Sequence, residues 1–511
     1  MTTAPGAPIE STTKSSDGIG VANVRTATEV LDRSLVHGLA LTGAVKWSVQ
    51  LMTWVTTIIV ARLLSPTDFG ILSLGGVFLV LVSMLAESGI GSTLVAIPSM
   101  SSNQIFQLNG AALLLGLASF LVVTVAAVPL GMFYHSPVLP RLVLTMAVGL
   151  LIGSARTVPS ALLQRDMRFA RLAAIDAIQA VTQSALTLIL ALLGFRYWSL
   201  AIAGVAGTVV ATALVVWSRS CRYRWPRVLD LRPVMGYTRE VLATRLLWYS
   251  YQNADFIVAG RRLGAEALGG YSYAWTLASI PVDKITALVG SITPSIFSAV
   301  QGDQTALRRY FLAITEGLSV LVFPLTTGLA LTAREFVPIV FGARWVPMIV
   351  PLQLLAIYAS IRAIVPPASN VLFVTGDTRF LLKQSAVAAV ALPVAFLIGS
   401  QWGTFGIAVA WMVAHPLIVA LPTFLKTRHR LGMSLGQYLG ALRPASVGVT
   451  LLAVGVFATK ALLTGRVSVL ALLLLEALVG GTVYTAYVTI FHGPKIRAVR
   501  DLLQRGPISQ T

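Results

Sequence analysis

The sequence predicts an all-α integral membrane protein of about 14 transmembrane helices, and two observations carry this prediction. Apolar residues make up 56% of the 511 positions and charged residues only 11%, with a mean hydropathy of +0.81, whereas soluble domains carry roughly 25% charged residues. Apolar stretches of about 20 residues recur along most of the chain, which is the length a helix needs to cross roughly 30 Å of hydrocarbon. Lipid is therefore the solvent to which most of this chain is suited.

The individual spans follow from where these apolar stretches begin and end. Residues 1–35 precede the first stretch and are rich in Pro, Gly, Ser and Thr, which predicts a cytoplasmic tail. The predicted spans are 38–61, 69–90, 105–133, 138–158, 172–195, 198–218, 240–260, 268–293, 310–332, 346–373, 381–399, 403–425, 443–464 and 467–491.

The basic residues support an even number of helices. The formal charge of +19 would favour a nucleic-acid partner in a soluble protein, but here the Lys and Arg residues lie in short loops. With the N-terminus placed in the cytoplasm, 25 of the 38 fall in cytoplasmic segments and eight in outside segments. This asymmetry predicts both termini on the cytoplasmic side of a bacterial inner membrane and no nucleic-acid partner.

An internal repeat with a constant offset of 199 residues divides the chain into two lobes. It aligns residues 58–62 with residues 257–261, Gly70 with Gly269 and Ser73 with Ser272. The repeat unit is six helices, so two pseudo-symmetric lobes share one orientation in the membrane. The predicted domains are a tail (1–35), an N-lobe (36–218), a basic linker (219–239), a C-lobe (240–425), two appended helices (426–491) and a C-terminal tail (492–511).

Three stretches resemble a known family. They are residues 61–70, 163–169 and 253–273, and they resemble the polysaccharide-transporter branch of the multidrug/oligosaccharidyl-lipid/polysaccharide exporter superfamily, which includes Wzx-type flippases. The resemblance implies two six-helix lobes around a central cavity, with two extra C-terminal helices. It also implies outward flipping of undecaprenyl-pyrophosphate-linked oligosaccharide by alternating access, for lipopolysaccharide or exopolysaccharide synthesis. The implied partners are this lipid-linked substrate, membrane lipids and polysaccharide polymerase machinery.

Cations inside the predicted spans are the candidates for substrate binding, because a charge within hydrocarbon is costly unless it is paired or wet. Lys46 and Arg245 occupy the same position in the two lobes, since their numbers differ by 199. Two opposed cations could replace part of the hydration of a pyrophosphate; the alternative is that both reach the cytoplasmic headgroups. Arg362 and Lys284 complete the predicted cationic cavity, although Lys284 could instead form a local pair with its neighbour Asp283.

Acidic residues in or beside the spans are candidates for ion coupling. Asp255 leads this set because it shares a predicted helix with Arg245 and lies among polar neighbours. Asp176, Glu87 and Glu316 are further candidates, and each could equally form an ion pair with a structural role.

Several other residues receive structural predictions. Pro66 and Gly70 suit a tight turn between helices, and Lys460 is expected to reach headgroups at an outer helix end. The tryptophans expected to anchor the chain at the membrane interface are Trp47, Trp54, Trp345 and Trp402.

Other function classes find less support. The sequence has no phosphate-binding G-x-x-x-x-G-K-[ST] loop, its five histidines lack metal-ligand spacing, and it has one cysteine. We therefore predict no enzymatic activity, no catalytic residues, no metal site and no cofactor. The alternatives are an ion-coupled drug exporter or a lipid II flippase of the same superfamily. A membrane polysaccharide polymerase is disfavoured because the predicted outside loops are short.

Overall fold

The computed structural model describes residues 48–87, 90–91, 94, 100–226 and 246–504. Within these residues all regular structure is helical. The main helices are α1 (Ser48–Leu63), α2 (Pro66–Glu87), α3 (Ser102–Phe133), α4 (Leu139–Ser154), α5 (Thr157–Arg165), α6 (Phe169–Leu192), α7 (Tyr197–Ser218), α8 (Ala254–Ala299), α9 (Gln304–Val340), α10 (Ile349–Ala363), α11 (Val365–Val374), α12 (Thr378–Gly399), α13 (Gly403–His415), α14 (Leu421–Arg430), α15 (Leu435–Leu463) and α16 (Val469–Gln504).

The predicted all-α membrane fold is confirmed. In the described part of the chain, nine helices are long and apolar enough to cross a membrane, or ten when the bent pair α4 and α5 counts as one span. The predicted count of 14 is consistent with these helices.

Three of the predicted spans are interrupted. The span 138–158 bends by 43° between α4 and α5, and the span 346–373 breaks between α10 and α11. Both breaks lie just before prolines, Pro159 and Pro366, which lack the N–H that a helix interior needs. In the span 403–425, a π-helical turn follows at Pro416–Ala420.

A tight turn replaces the predicted loop at the start of the C-lobe. The predicted loop between spans 240–260 and 268–293 is reduced to a single non-helical residue, Gly264, at which α8 turns back on itself with φ +85°. Glycine adopts this conformation without the steric cost that a Cβ would bring. The two predicted spans remain separate helical segments, because the chain reverses at Gly264 and brings Tyr271 of the second segment against Asp255 of the first.

The two lobes meet where α2 crosses the second part of α8. A Cβ on Gly70 would lie 1.7 Å from the carbonyl oxygen of Ala265, and a Cβ on Gly269 would lie 1.7 Å from that of Pro66. Between them, the hydroxyls of Ser73 and Ser272 lie 3.0 Å apart and hydrogen bond. Residues that the repeat places 199 positions apart thus contact one another directly. The predicted turn role of Gly70 is wrong, because this residue lies inside α2 and allows close backbone approach.

The appended helices α15 and α16 pack against each other and against α9 of the C-lobe. The Tyr484 hydroxyl of α16 donates to the carbonyl of Val320 in α9 at 2.7 Å. Gly448 of α15 lets the Tyr484 ring approach closely, since a Cβ there would lie 2.7 Å from that ring.

Candidate functional site

The C-lobe cavity is a space of about 440 Å³ among α8, α10 to α12 and the π-helical turn, and both polar and apolar side chains line it. Arg362, two residues before the break between α10 and α11, lines it and is 20% exposed. Its guanidinium donates to Asp283 at 2.9 Å and lies 5.4 Å from the centre of the Trp275 ring. The cavity therefore has an arginine held in place by an acid and an aromatic face.

Lys284 does not pair with its neighbour Asp283, so the alternative prediction of a local pair is wrong. Consecutive residues on a helix point in different directions, so Asp283 turns to Arg362 while Lys284 turns to the other lobe. Its ammonium donates to the side chain of Gln50 in α1 at 3.0 Å. Lys284 thus bridges the two lobes.

The other predicted cations, Lys46 and Arg245, lie outside the described residues, so their facing arrangement stays a prediction. Among the described residues, Arg362 and Asp283 line the C-lobe cavity, and Lys284 lies beside Asp283 at the contact with α1.

Asp255 is fully buried at the start of α8. One of its oxygens accepts hydrogen bonds from the Tyr271 hydroxyl at 2.7 Å and the Trp411 indole at 2.8 Å. The other oxygen, Oδ1, has no side-chain donor among the described residues. Placement in the first turn of a helix favours a negative charge through the helix dipole.

The remaining predicted acids are not brought to this cavity by the described structure. Asp176 is exposed on α6 and Glu316 is half-buried on α9, and neither lines the C-lobe cavity. The side chain of Glu87 lies outside the described residues.

A second cavity of about 380 Å³, the N-lobe cavity, lies among α2, α4, α6 and α7. Arg156 lines it at the bend between α4 and α5, and donates to the side chain of Gln179 at 2.9 Å. Each lobe therefore carries a cavity that is lined, among the described residues, by an arginine at a helix break.

The sequence did not single out Arg156, because this residue lies at the edge of the predicted span 138–158. A signal was present: Ser154-Ala-Arg156 matches Ser360-Ile-Arg362, and residues 166–169 (Asp-Met-Arg-Phe) match residues 377–380 (Asp-Thr-Arg-Phe). These matches have offsets of 206 and 211, so a search at the fixed offset of 199 does not find them.

Two structural predictions are wrong. Lys460 does not reach for headgroups, because its ammonium donates to Glu335 at 2.9 Å and to the carbonyl of Leu331 at 2.8 Å. Trp345 is not an interface anchor. It is buried at the lobe junction, with its indole N–H donating to the carbonyl of Ala61 at 2.8 Å.

Comparison with known proteins agrees with this architecture. Residues 59–350 match the family described as polysaccharide biosynthesis protein. The chain is 24% identical to the lipopolysaccharide biosynthesis protein WzxC of Escherichia coli, over 75% of this chain and 79% of that protein. It is 27% identical to the succinoglycan biosynthesis transport protein ExoT of Rhizobium meliloti, over 74% and 78%. Among solved structures, the lipid II flippase MurJ in an inward closed conformation superposes with a TM-score of 0.72 at 13% identity, covering 89% of this chain and 99% of that one.

Proposed function

This chain belongs to the polysaccharide biosynthesis protein family, and we infer that it is a multi-pass membrane transporter for lipid-linked oligosaccharide. The cargo moves from the cytoplasmic to the outer leaflet of the inner membrane by alternating access of the two lobes. The observation that carries this proposal is the pair of lobe cavities, each with an arginine, Arg156 or Arg362, at the break of the matched helix.

An arginine at a helix break suits a pyrophosphate head group. Guanidinium groups bind phosphate oxygens through paired N–H donors, and a broken helix leaves room for a ligand beside it. In the present conformation the guanidinium of Arg362 is hydrogen bonded to the carboxylate of Asp283. The Asp283 side chain is nevertheless 65% exposed. An arriving pyrophosphate can therefore replace it while the carboxylate turns to water.

Lys284 adds a positive charge where α8 contacts α1 of the other lobe, and we name the route from Lys284 to Arg362 the anion path. Lys46 and Arg245 are proposed to bind the anionic head group at the cytoplasmic entrance of this path. With both termini in the cytoplasm, outward movement of an anionic head group follows the membrane potential. The potential contributes about 2.3 kcal/mol per charge per 100 mV.

Asp255 is proposed as the site that couples transport to a proton or sodium ion. It is a buried acid beside the C-lobe cavity, and Asp176, Glu87 and Glu316 are weaker candidates. Asp255→Asn retains an acceptor for its two donors and should fold. In proteoliposomes we expect it to transport under a membrane potential but to lose any acceleration by an imposed pH or sodium gradient. If the gradient accelerates transport by the variant as much as it accelerates transport by the wild type, Asp255 is not the coupling site.

The decisive test of the anion path is transport of undecaprenyl-pyrophosphate-linked oligosaccharide in proteoliposomes. Loss of a hydrogen bond to a charged group costs about 1.5–3 kcal/mol, so Arg362→Gln should lower the initial rate about 10- to 150-fold. Arg156→Gln should have an effect of the same order. Arg171→Gln, an exposed arginine on α6, is the matched control and should leave the rate unchanged.

Asp283→Asn adds a test of opposite sign. It frees Arg362 from its carboxylate, so half-maximal transport should require less substrate. If Arg362→Gln transports as fast as Arg171→Gln at equal protein level, the C-lobe cavity does not bind the head group.

A further inference from the structure

Three charged side chains meet where the appended helices join the C-lobe. Glu335 comes from α9, Lys460 from α15 and Glu476 from α16. The Lys460 ammonium lies 2.9 Å from Glu335 and 3.8 Å from Glu476. The Glu335 and Lys460 side chains are 14% and 20% exposed, whereas Glu476 is fully buried. The trio therefore has a partly exposed edge near the ends of α9 and α15 and a buried carboxyl behind it.

The buried carboxyl of Glu476 accepts no hydrogen bond from any described residue, because 3.8 Å is too long for one. Lys460 directs two of its three N–H donors to Glu335 and to the carbonyl of Leu331. An ionised carboxylate that is buried without hydrogen bonds costs several kcal/mol, whereas a neutral carboxylic acid avoids most of this penalty.

The net charge of the trio also favours a neutral Glu476. The charged groups that face Glu476 are Lys460 from α15 and Glu335 from α9. With all three groups ionised, the trio carries one net negative charge inside an apolar helix bundle. With a proton on Glu476, the trio is neutral and the ion pair of Lys460 with Glu335 remains intact.

We propose that Glu476 is a proton-binding site, occupied when α15 and α16 pack on α9 as they do in this structure. The proton is exchanged with water on the side of the membrane where residues 341–345 and 464–468 lie, past the partly exposed Glu335 and Lys460. When the proton leaves, the Glu476 carboxylate keeps the electron pair and attracts the third N–H of Lys460. Lys460 then divides its charge between two acids, and its link to α9 through Glu335 weakens.

Protonation of Glu476 thus strengthens the packing of the appended helices, α15 and α16, against α9 of the C-lobe. This site is separate from the lobe cavities and does not rest on the proposed transport path.

Infrared spectroscopy of the purified full chain in lipid nanodiscs at pH 7 tests the proposal, because a protonated carboxyl has a C=O stretching band distinct from that of a carboxylate. Wild-type protein should show this band, and Glu476→Gln should lose intensity equal to one carboxyl group per molecule. Lys460→Met should gain intensity, because Glu335 then has no cation and also takes up a proton.

The matched control is Asp303→Asn. Asp303 is an exposed acid that caps the start of α9, and asparagine caps a helix equally well, so the band should not change. An unchanged band in Glu476→Gln would overturn the proposal, and so would a band that weakens in Lys460→Met. The opposite signs expected for these two variants distinguish a bound proton from a loss of fold.

Discussion

The contact of Gly70 and Gly269 at the lobe junction gives a prediction with a magnitude. In Gly70→Ala the new Cβ would start 1.7 Å from the carbonyl oxygen of Ala265, and real Cβ atoms essentially never lie closer than 3.0 Å to such an atom. The helices must therefore separate by about 1.3 Å, which is the difference between these two distances. Overpacking of this kind costs about 1–3 kcal/mol. The ratio of closed to open junctions should fall about 5- to 150-fold, and Gly269→Ala should do the same by pseudo-symmetry.

Disulfide trapping measures this ratio. In a Cys221→Ser background, Ser73→Cys and Ser272→Cys place two thiols where the native hydroxyls lie 3.0 Å apart, which suits a disulfide after a small adjustment. Molecules with a closed junction should form the disulfide under brief oxidation and resist a mass-tagged maleimide.

The control for Gly70→Ala is Gly76→Ala, on the same helix, where an added Cβ meets nothing within 4 Å. We expect the same ratio of disulfide-linked to maleimide-tagged molecules in the background and in Gly76→Ala, and a ratio at least fivefold lower in Gly70→Ala. Equal ratios in Gly70→Ala and Gly76→Ala would refute the close-approach explanation of the two glycines.

Two further predictions concern residues away from the cavities. Hydrogen bonds from Arg430 lower the pKa of the Asp377 carboxyl, so this contact stabilises the fold above the unfolded pKa of about 4 and is lost as the pH falls through the lower folded value. The melting temperature of Asp377→Asn should therefore lie below that of wild type at pH 6, with the gap closing below about pH 4; a gap independent of pH would contradict this account. Trp345→Phe removes the indole donor at the lobe junction and should cost about 0.5–1.5 kcal/mol of unfolding free energy, measured by denaturant titration. Trp402→Phe, at a residue that is 64% exposed, should change little, and equal losses in both would show that the hydrogen bond contributes nothing.

Much of the architecture could be predicted from the sequence. The bilayer requires long apolar helices, and duplication leaves a fixed offset, so the fold class and the correspondence of Ser73 with Ser272 were both readable. Arg362 was identified as a site candidate because a charge stands out among apolar neighbours. Its partner in the other lobe, Arg156, was not identified because insertions shift the register between the lobes.

The errors have a common physical origin. Positions near helix ends predict an interface role for Lys460 and Trp345, and adjacency in the sequence suggests a pair of Lys284 with Asp283. Each assignment depended on how a helix is rotated about its axis, because rotation decides which neighbour a side chain meets.

The sequence by itself thus determined that this protein lies in a membrane, that it is all-helical and that it is built from two related lobes with an appended pair of helices. The tertiary structure alone decided that the lobes cross at two glycines, that Arg362 is held by Asp283, and that Lys460 joins Glu335 near Glu476. The reason is the solvent: in lipid, the helix faces that meet other helices and those that meet acyl chains are both apolar. Hydropathy therefore determines which residues cross the membrane, but it does not determine which face of a helix packs against its neighbours.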